Sequence, residues 1–116
     1  MTAPNIVNVS TITGKTDQIA LSSTAATVLV SNAASSGKVV KVNMIIIANV
    51  DGTNACDATV DLHSAAAGGG TAFSIVSTAS VAADSSLVAL DKSTAMYLEE
   101  DMSITVTAGT ANDLEV

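Results

Sequence analysis

Apolar and polar residues alternate with a period of two along most of this chain. In Asp101–Ala108 the even positions Met102, Ile104, Val106 and Ala108 are apolar, and the odd ones are acidic or hydroxylated. That is the pattern of a strand with one face in a core and hydroxyls outside. Asn54–Ser64 puts Cys56, Ala58, Val60 and Leu62 on one face and Asp57, Thr59, Asp61 and His63 on the other. Thr71–Ser80 divides Phe73, Ile75, Ser77 and Ala79 from Ala72, Ser74, Val76 and Thr78. Shorter strands are expected at Ile6–Thr13, Gln18–Leu21, Ala26–Asn32, Leu87–Asp91 and Ala95–Glu99. Turn signals such as Thr13-Gly14, Asp51-Gly52, Gly68-Gly69-Gly70 and Ala108-Gly109 recur about every 8–12 residues, the spacing of a sandwich or small barrel. No segment sustains a period of 3.6. Ala65-Ala66-Ala67 has room for one helical turn, which the Gly triplet ends, and that triplet reads as a flexible loop. These patterns predict an all-β fold: a single antiparallel β-sandwich, jelly-roll-like, of about 8 strands. Residues 1–8, with Pro4 and no strong pattern, are expected to form an N-terminal arm, and residues 9–116 the sandwich.

One strand departs from this pattern. In Lys38–Val50 the even positions Val40, Val42, Met44, Ile46, Ala48 and Val50 make a wholly apolar face, expected to lie inward. The other face carries Lys41 and Asn43 and then Ile45 and Ile47. Two adjacent exposed isoleucines would make an apolar patch, so either another segment of the chain or another subunit covers them. Lys38, Lys41, Ile45 and Ile47 are therefore the expected intersubunit contacts.

Composition narrows the function. The chain has 116 residues, is 48% hydrophobic and 13% charged, and its aromatics are Phe73 and Tyr97 alone. Its apolar mass is Ala, Val, Ile and Leu among many Ser and Thr, which suits closely packed strands. The net charge is −7, with four lysines and no arginine. Nucleic-acid binding normally needs a basic patch and arginine forks, so direct contact with nucleic acid is not expected. A single cysteine allows no intrachain disulfide. MTAPNIVNVS has no basic n-region followed by an apolar run, and Met44–Ile47 is far too short to span a bilayer. The expectation is synthesis in the cytoplasm of the producing cell and no membrane partner.

Candidate chemistry concentrates in Asn49–His63, which holds the only cysteine, the only histidine and three aspartates. Period-two geometry separates Cys56 from His63, inward and outward, beyond the reach a thiolate–imidazole pair needs. Asp57, Asp61 and His63 share a face, but strong zinc signatures use several Cys and His at tight spacing. The calcium-loop pattern beginning at Asp51 fails at Ala55 and Cys56. Gly14-Lys15-Thr16 contains part of a phosphate loop, yet Val9 stands where the first glycine belongs and no helix is expected after it. Glu99-Glu100-Asp101 is the densest acidic cluster, a tip that either holds Ca²⁺ or stays solvated. The reading is no catalytic, cofactor-binding or metal residues, and not an enzyme.

The order of elements from Lys38 onward also bears a resemblance. A strand running into Asp51-Gly52-Thr53-Asn54 is followed by Ala58-Thr59-Val60-Asp61-Leu62 and Leu87-Val88-Ala89-Leu90-Asp91-Lys92. Then comes Met96-Tyr97-Leu98-Glu99-Glu100-Asp101-Met102-Ser103-Ile104-Thr105-Val106. Over roughly residues 37–115 this resembles small β-sandwich virion proteins of tailed bacteriophages, especially marine and cyanobacterial ones. The resemblance implies a capsid decoration (cement) protein on the outer capsid surface. Its partners would be the major capsid protein and copies of itself, in a trimer or another homo-oligomer. It carries no catalytic residues, and it leaves open how a strand at Leu114-Glu115-Val116 pairs. The alternatives are a tail, neck or fibre component of the virion and, in a different class, a glycan-binding jelly roll using Asp57, Asp61 and the Gly68–Gly70 loop.

Overall fold

Paired Val-, Ile- and Thr-rich segments build two antiparallel layers. The structure is a computed structural model and describes residues 12–116; the expected arm, residues 1–8, and the first part of the expected strand Ile6–Thr13 lie outside the described residues. Nine strands are present among the described residues: β1 (Thr27–Asn32), β2 (Val40–Val42), β3 (Ile45–Asn49), β4 (Cys56–His63), β5 (Ala72–Val81), β6 (Ser86–Leu90), β7 (Met96–Leu98), β8 (Met102–Ala108) and β9 (Leu114–Glu115). One sheet has the order β1-β8-β4-β5. The other has the order β6-β3-β9 and continues along the same two chain segments as the pair β2-β7. The fold is all-β and antiparallel, with nine strands among the described residues where about eight are expected for the whole chain.

The ninth strand answers the question left at the C-terminal segment. Leu114 and Glu115 pair with Asn49 and Ala48 of β3. On the far side of β9, Ile19 and Val116 exchange two backbone hydrogen bonds of 2.8 Å, and Ala20 bridges Glu115. The expected strand Gln18–Leu21 is thus an edge segment of the second sheet, with Leu21 buried at 1% exposure.

The core lies between the sheets. Ala58, Val60, Ile104, Val106 and Ala108 from the first sheet meet Ile45, Ile47, Leu90, Leu98 and Leu114 from the second in one contiguous cluster. Each of these side chains, fully buried, is worth about 1.5–3 kcal/mol relative to exposure, with alanines worth less. Both aromatics stay outside, Phe73 at 58% and Tyr97 at 47% exposure. Branched aliphatics therefore supply the burial.

Alternation fails in several places, three of which bear on the site, each for a geometric reason. First, Lys38–Val50 is two strands. Val42 of β2 pairs with Met96, and Ile45 of β3 pairs with Leu90. Three positions separate Val42 from Ile45, an odd step, so the inward residues change from even-numbered to odd-numbered. On the partner side the interruption holds a 3₁₀ turn, Lys92–Thr94, capped by Asp91 and Thr94 in a reciprocal capping box. The expected inward face is consequently corrected: Ile45 and Ile47 are core, at 3% and 0% exposure, while Met44, Ile46 and Val50 are exposed. Second, β5 carries two bulges. Ala58 pairs with Ala79 but Val60 with Val76, leaving one extra residue at Ser77-Thr78, where Thr78 has φ 45°. Asp61 then pairs with Ser74, leaving Ile75 extra. Such bulges bend an edge strand away from further pairing.

Third, β8 is buried on both faces: Ser103, Ile104, Thr105 and Val106 are all at 2% exposure or less. The hydroxyl face, expected to meet solvent, is covered by the segment Ala65–Gly70, which lies against β1 and β8. Gly68 donates its N–H to Ser103 Oγ at 2.8 Å, and Ser103 Oγ donates to Ala65 O at 2.8 Å. Ala66 N–H donates to Asp101 Oδ1 at 3.0 Å and Ala67 N–H to Ser31 Oγ at 2.9 Å. A side chain at Gly68, which has φ +74°, would press on Thr105 Cγ2. The segment expected to be a flexible loop is a fastened strap containing one 3₁₀ turn, Ala66–Gly68.

Two buried asparagines tie the strand ends to the loops that follow. Asn32 donates to Lys38 O and Leu98 O and accepts from Ser36 Oγ. Asn49 donates to Asn54 O and Val81 O, both at 2.9 Å, and accepts from Asp51 N. Each replaces backbone pairing lost where a strand stops, which a buried polar group must do to avoid a desolvation cost. Among the described residues no helix is long and apolar enough to cross a membrane.

Candidate functional site

The Asp/Cys/His segment becomes β4, an interior strand between β5 and β8. Cys56 is in the core at 2% exposure, with Asp57 O and Thr110 O as its nearest acceptors, at 3.7 and 3.9 Å. His63 lies on the opposite face, as its register with Ser103 requires, so the thiol and imidazole are apart. That face does not expose the imidazole, however. His63 is 8% exposed, and its Nε2 stands 2.9 Å from Thr105 Oγ1. Nδ1 is buried without a partner. The tautomer that carries its proton on Nε2 leaves only a lone pair unsatisfied at Nδ1, which is cheaper than an orphaned N–H. The expectation that His63 points into solvent beside Asp61 is corrected: the imidazole is buried against Thr105.

The remaining candidate groups are separated. Asp61 accepts from Ser74 Oγ at 2.8 Å across the β4–β5 ladder. Asp57 is exposed at the opposite end of β4, beside Gly109, whose N–H donates to Asp57 O at 2.8 Å. Six strand positions, about 20 Å, separate it from the strap, so Asp57 and the Gly68–Gly70 segment do not form one sugar-sized site. Asp101 of the acidic tip is engaged by the strap, as above. Lys15 and Asp17 pair at 3.2 Å in an exposed, non-helical segment, so Gly14-Lys15-Thr16 does not open a helix. Among the described residues no three His, Cys, Asp or Glu side chains gather as metal ligands. Asp51 serves its own turn: the Thr53 N–H, at 2.8 Å, holds its carboxyl below the usual range, and the Asn54 amide adds to this.

A surface, rather than a cleft, is the distinctive feature. Ile46 of β3 pairs with Val88 of β6, and both face outward at 44% and 54% exposure. Met44 and Val50 flank them along the chain at 56% and 49%. Tyr97 faces outward at the β2–β7 end, opposite Lys41, whose Nζ stands 5.7 Å from the ring centroid in a cation–π contact. Of the eight large hydrophobic residues exposed among the described residues, these five lie on one face. Clustering of that kind marks an interaction surface, whereas single exposed hydrophobics do not. A shallow groove of about 410 Å³ opens on the same face between Ile19, Ala20, Ile46, Ala48, Glu115 and Val116.

Two of the expected contact residues, Lys38 and Lys41, are exposed; the other two, Ile45 and Ile47, are sealed in the core and face away from this surface. Their neighbours Met44 and Ile46 take the surface positions. The displaced register had one legible signal: Asp91-Lys92-Ser93-Thr94 has the spacing of a capping box, which interrupts the ladder opposite Asn43-Met44. No family model matches the chain, and neither a curated protein nor a solved structure does.

Proposed function

We propose that this chain is a non-enzymatic structural protein of a virion, a capsid decoration protein that stabilises the head shell of a tailed bacteriophage. The observation that carries the proposal is the apolar outer face along β3, β6 and β7, with Met44, Ile46, Val50, Val88 and Tyr97 exposed. A surface built this way docks on protein. The resemblance of residues 37–115 to small virion proteins points to the kind of particle, and a net charge of −7 suits a shell exterior away from packaged DNA. The tightly fastened strap and asparagine-tied loops fit a part whose role is to hold shape. A tail, neck or fibre position in the same virion is the second reading, favoured by the same face. Antibodies raised against the chain, applied to intact particles from cultures carrying its gene, are expected to label the head. Label confined to the tail transfers the role there, and particles purified free of the protein overturn the proposal.

A further inference from the structure

The extra residues that interrupt the ladders all fall on edge strands. Among the described residues β1, β5 and β6 have a paired neighbour on one side only. Val28 and Val30 of β1 pair with Thr105 and Ile104, which leaves Leu29 extra. β5 carries two, Ile75 and one of Ser77-Thr78. On β6, Leu90 and Val88 pair with Ile45 and Ile46, which leaves Ala89 extra. Each time the surplus lies on the outer strand and not on its interior partner. The interior ladder between β4 and β8 runs through six consecutive pairs, from Ala58 with Ala108 to His63 with Ser103, without a break.

We infer that these bulges are guards, which spoil the three open edges as templates for strands of other copies of the chain. An edge strand offers a row of free N–H and C=O groups, and lysine, proline or an inward-pointing charge is the common protection. None is available here: TVLVSN, AFSIVSTASV and SLVAL contain no charged residue and no proline. Apolar and hydroxylated segments of that length and neutrality are the kind that stack into cross-β assemblies. A bulge answers this without charge, since it kinks the strand and throws the neighbouring N–H and C=O groups out of line. The guard is heaviest where the edge is longest. β5, at 10 residues, has two bulges. At one of them Thr78 holds φ 45°, which a β-branched residue adopts only at a cost. Its N–H donates to Thr59 Oγ1 of β4 at 3.0 Å and so is not left open on the edge.

The register shows that the strand pattern of β5 is complete without the insertions. Lacking Ile75 and Thr78, it would read Ala72-Phe73-Ser74-Val76-Ser77-Ala79-Ser80-Val81, eight residues opposite the eight of β4. Phe73, Val76, Ala79 and Val81 would keep their places beside Leu62, Val60, Ala58 and Cys56 on the core side. Ala72, Ser74, Ser77 and Ser80 would make an unbroken small, polar outer side. Leu29, Ile75 and Ala89 add some packing against the core, and Thr78 is exposed. What the insertions chiefly change is the line of the edge. The inference concerns edges alone and is independent of what the apolar outer face docks on.

Deleting extra residues from the full chain tests it. The double deletion of Ile75 and Thr78, and separately the deletion of Ala89, should each fold by circular dichroism. Each should associate at least about tenfold more tightly than the parent in a sedimentation concentration series. Thioflavin fluorescence should rise with it, because the new contact extends a sheet. Adding Ser80→Lys to the double deletion puts a charge on the outer side of the straightened edge and should restore the parent's behaviour. Association caused by lost stability alone would not be reversed that way. Deletion variants that fold and associate no more than the parent overturn the inference, as does association that Ser80→Lys leaves in place. Failure of both deletion variants to fold overturns it too, because the extra residues would then hold the fold rather than guard its edges.

Discussion

Ile46 and Ile47 are adjacent, chemically identical and opposite in role, which makes them the sharpest probe of how this chain is folded. Truncating either to alanine removes three carbons, worth about 2.4 kcal/mol when fully buried at about 0.8 kcal/mol each. Ile47 is at 0% exposure, packed between the sheets with Leu90, Leu98 and Leu114 in the same cluster. Its loss adds a cavity term, bringing the cost to about 3.5 kcal/mol, within the range measured for buried Ile to Ala changes. Ile46 is 44% exposed. Its truncation forfeits roughly half of the transfer term and leaves no closed cavity, costing about 1.3 kcal/mol. Urea unfolding followed by circular dichroism at low protein concentration, where self-association does not contribute, reads the difference. With a slope near 1.5 kcal/mol/M, the midpoint falls by about 2.3 M for Ile47→Ala and by about 0.9 M for Ile46→Ala. Equal shifts, or a larger one for Ile46→Ala, would restore the unbroken even-inward strand and refute the change of parity between β2 and β3.

Two further outcomes follow from polar groups. Asn49→Ala removes two donated bonds and one accepted bond and leaves the buried Val81 carbonyl unpaired; at about 1 kcal/mol each this costs about 3 kcal/mol, a fall of roughly 10 °C in Tm by calorimetry, and a fall below about 3 °C would show that the loops do not depend on it. Asp91 accepts from Ser93 Oγ and from the backbone N–H of Ser93 and Thr94, which hold its carboxyl below the ordinary 3.8. A carboxyl lowered in the folded state adds stability that is complete above 3.8 and is lost as pH falls through its folded-state value. Thermal melts from neutral pH down into that acid range should therefore be less steeply pH-dependent for Asp91→Asn than for the parent, and parallel curves would contradict the role given to this cap.

Much of this protein was decided locally. Val-, Ile- and Thr-rich alternation determined strands at nearly every observed position, because side chains on a pleated strand must take opposite faces whatever the strand pairs with. The same rule separated Cys56 from His63 and removed the apparent reactive pair before any tertiary contact was known. Composition likewise determined an aliphatic core, since two aromatics in the whole chain cannot fill one. What alternation cannot supply is continuity. A two-residue interruption at Asn43-Met44 inverted the faces of β3 and moved Ile45 and Ile47 from a supposed surface into the core. Nor can it reveal a cover. Ser103 and Thr105 sit on a polar face by pattern, yet a glycine-containing strap from the β4–β5 connection covers them, because the N–H groups of Ala66, Ala67 and Gly68 find Asp101, Ser31 and Ser103 already waiting beside and on β8 and on β1. The apolar outer face is likewise a tertiary fact. Ile46 and Val88 are far apart in the sequence, and only the β3–β6 ladder sets them side by side.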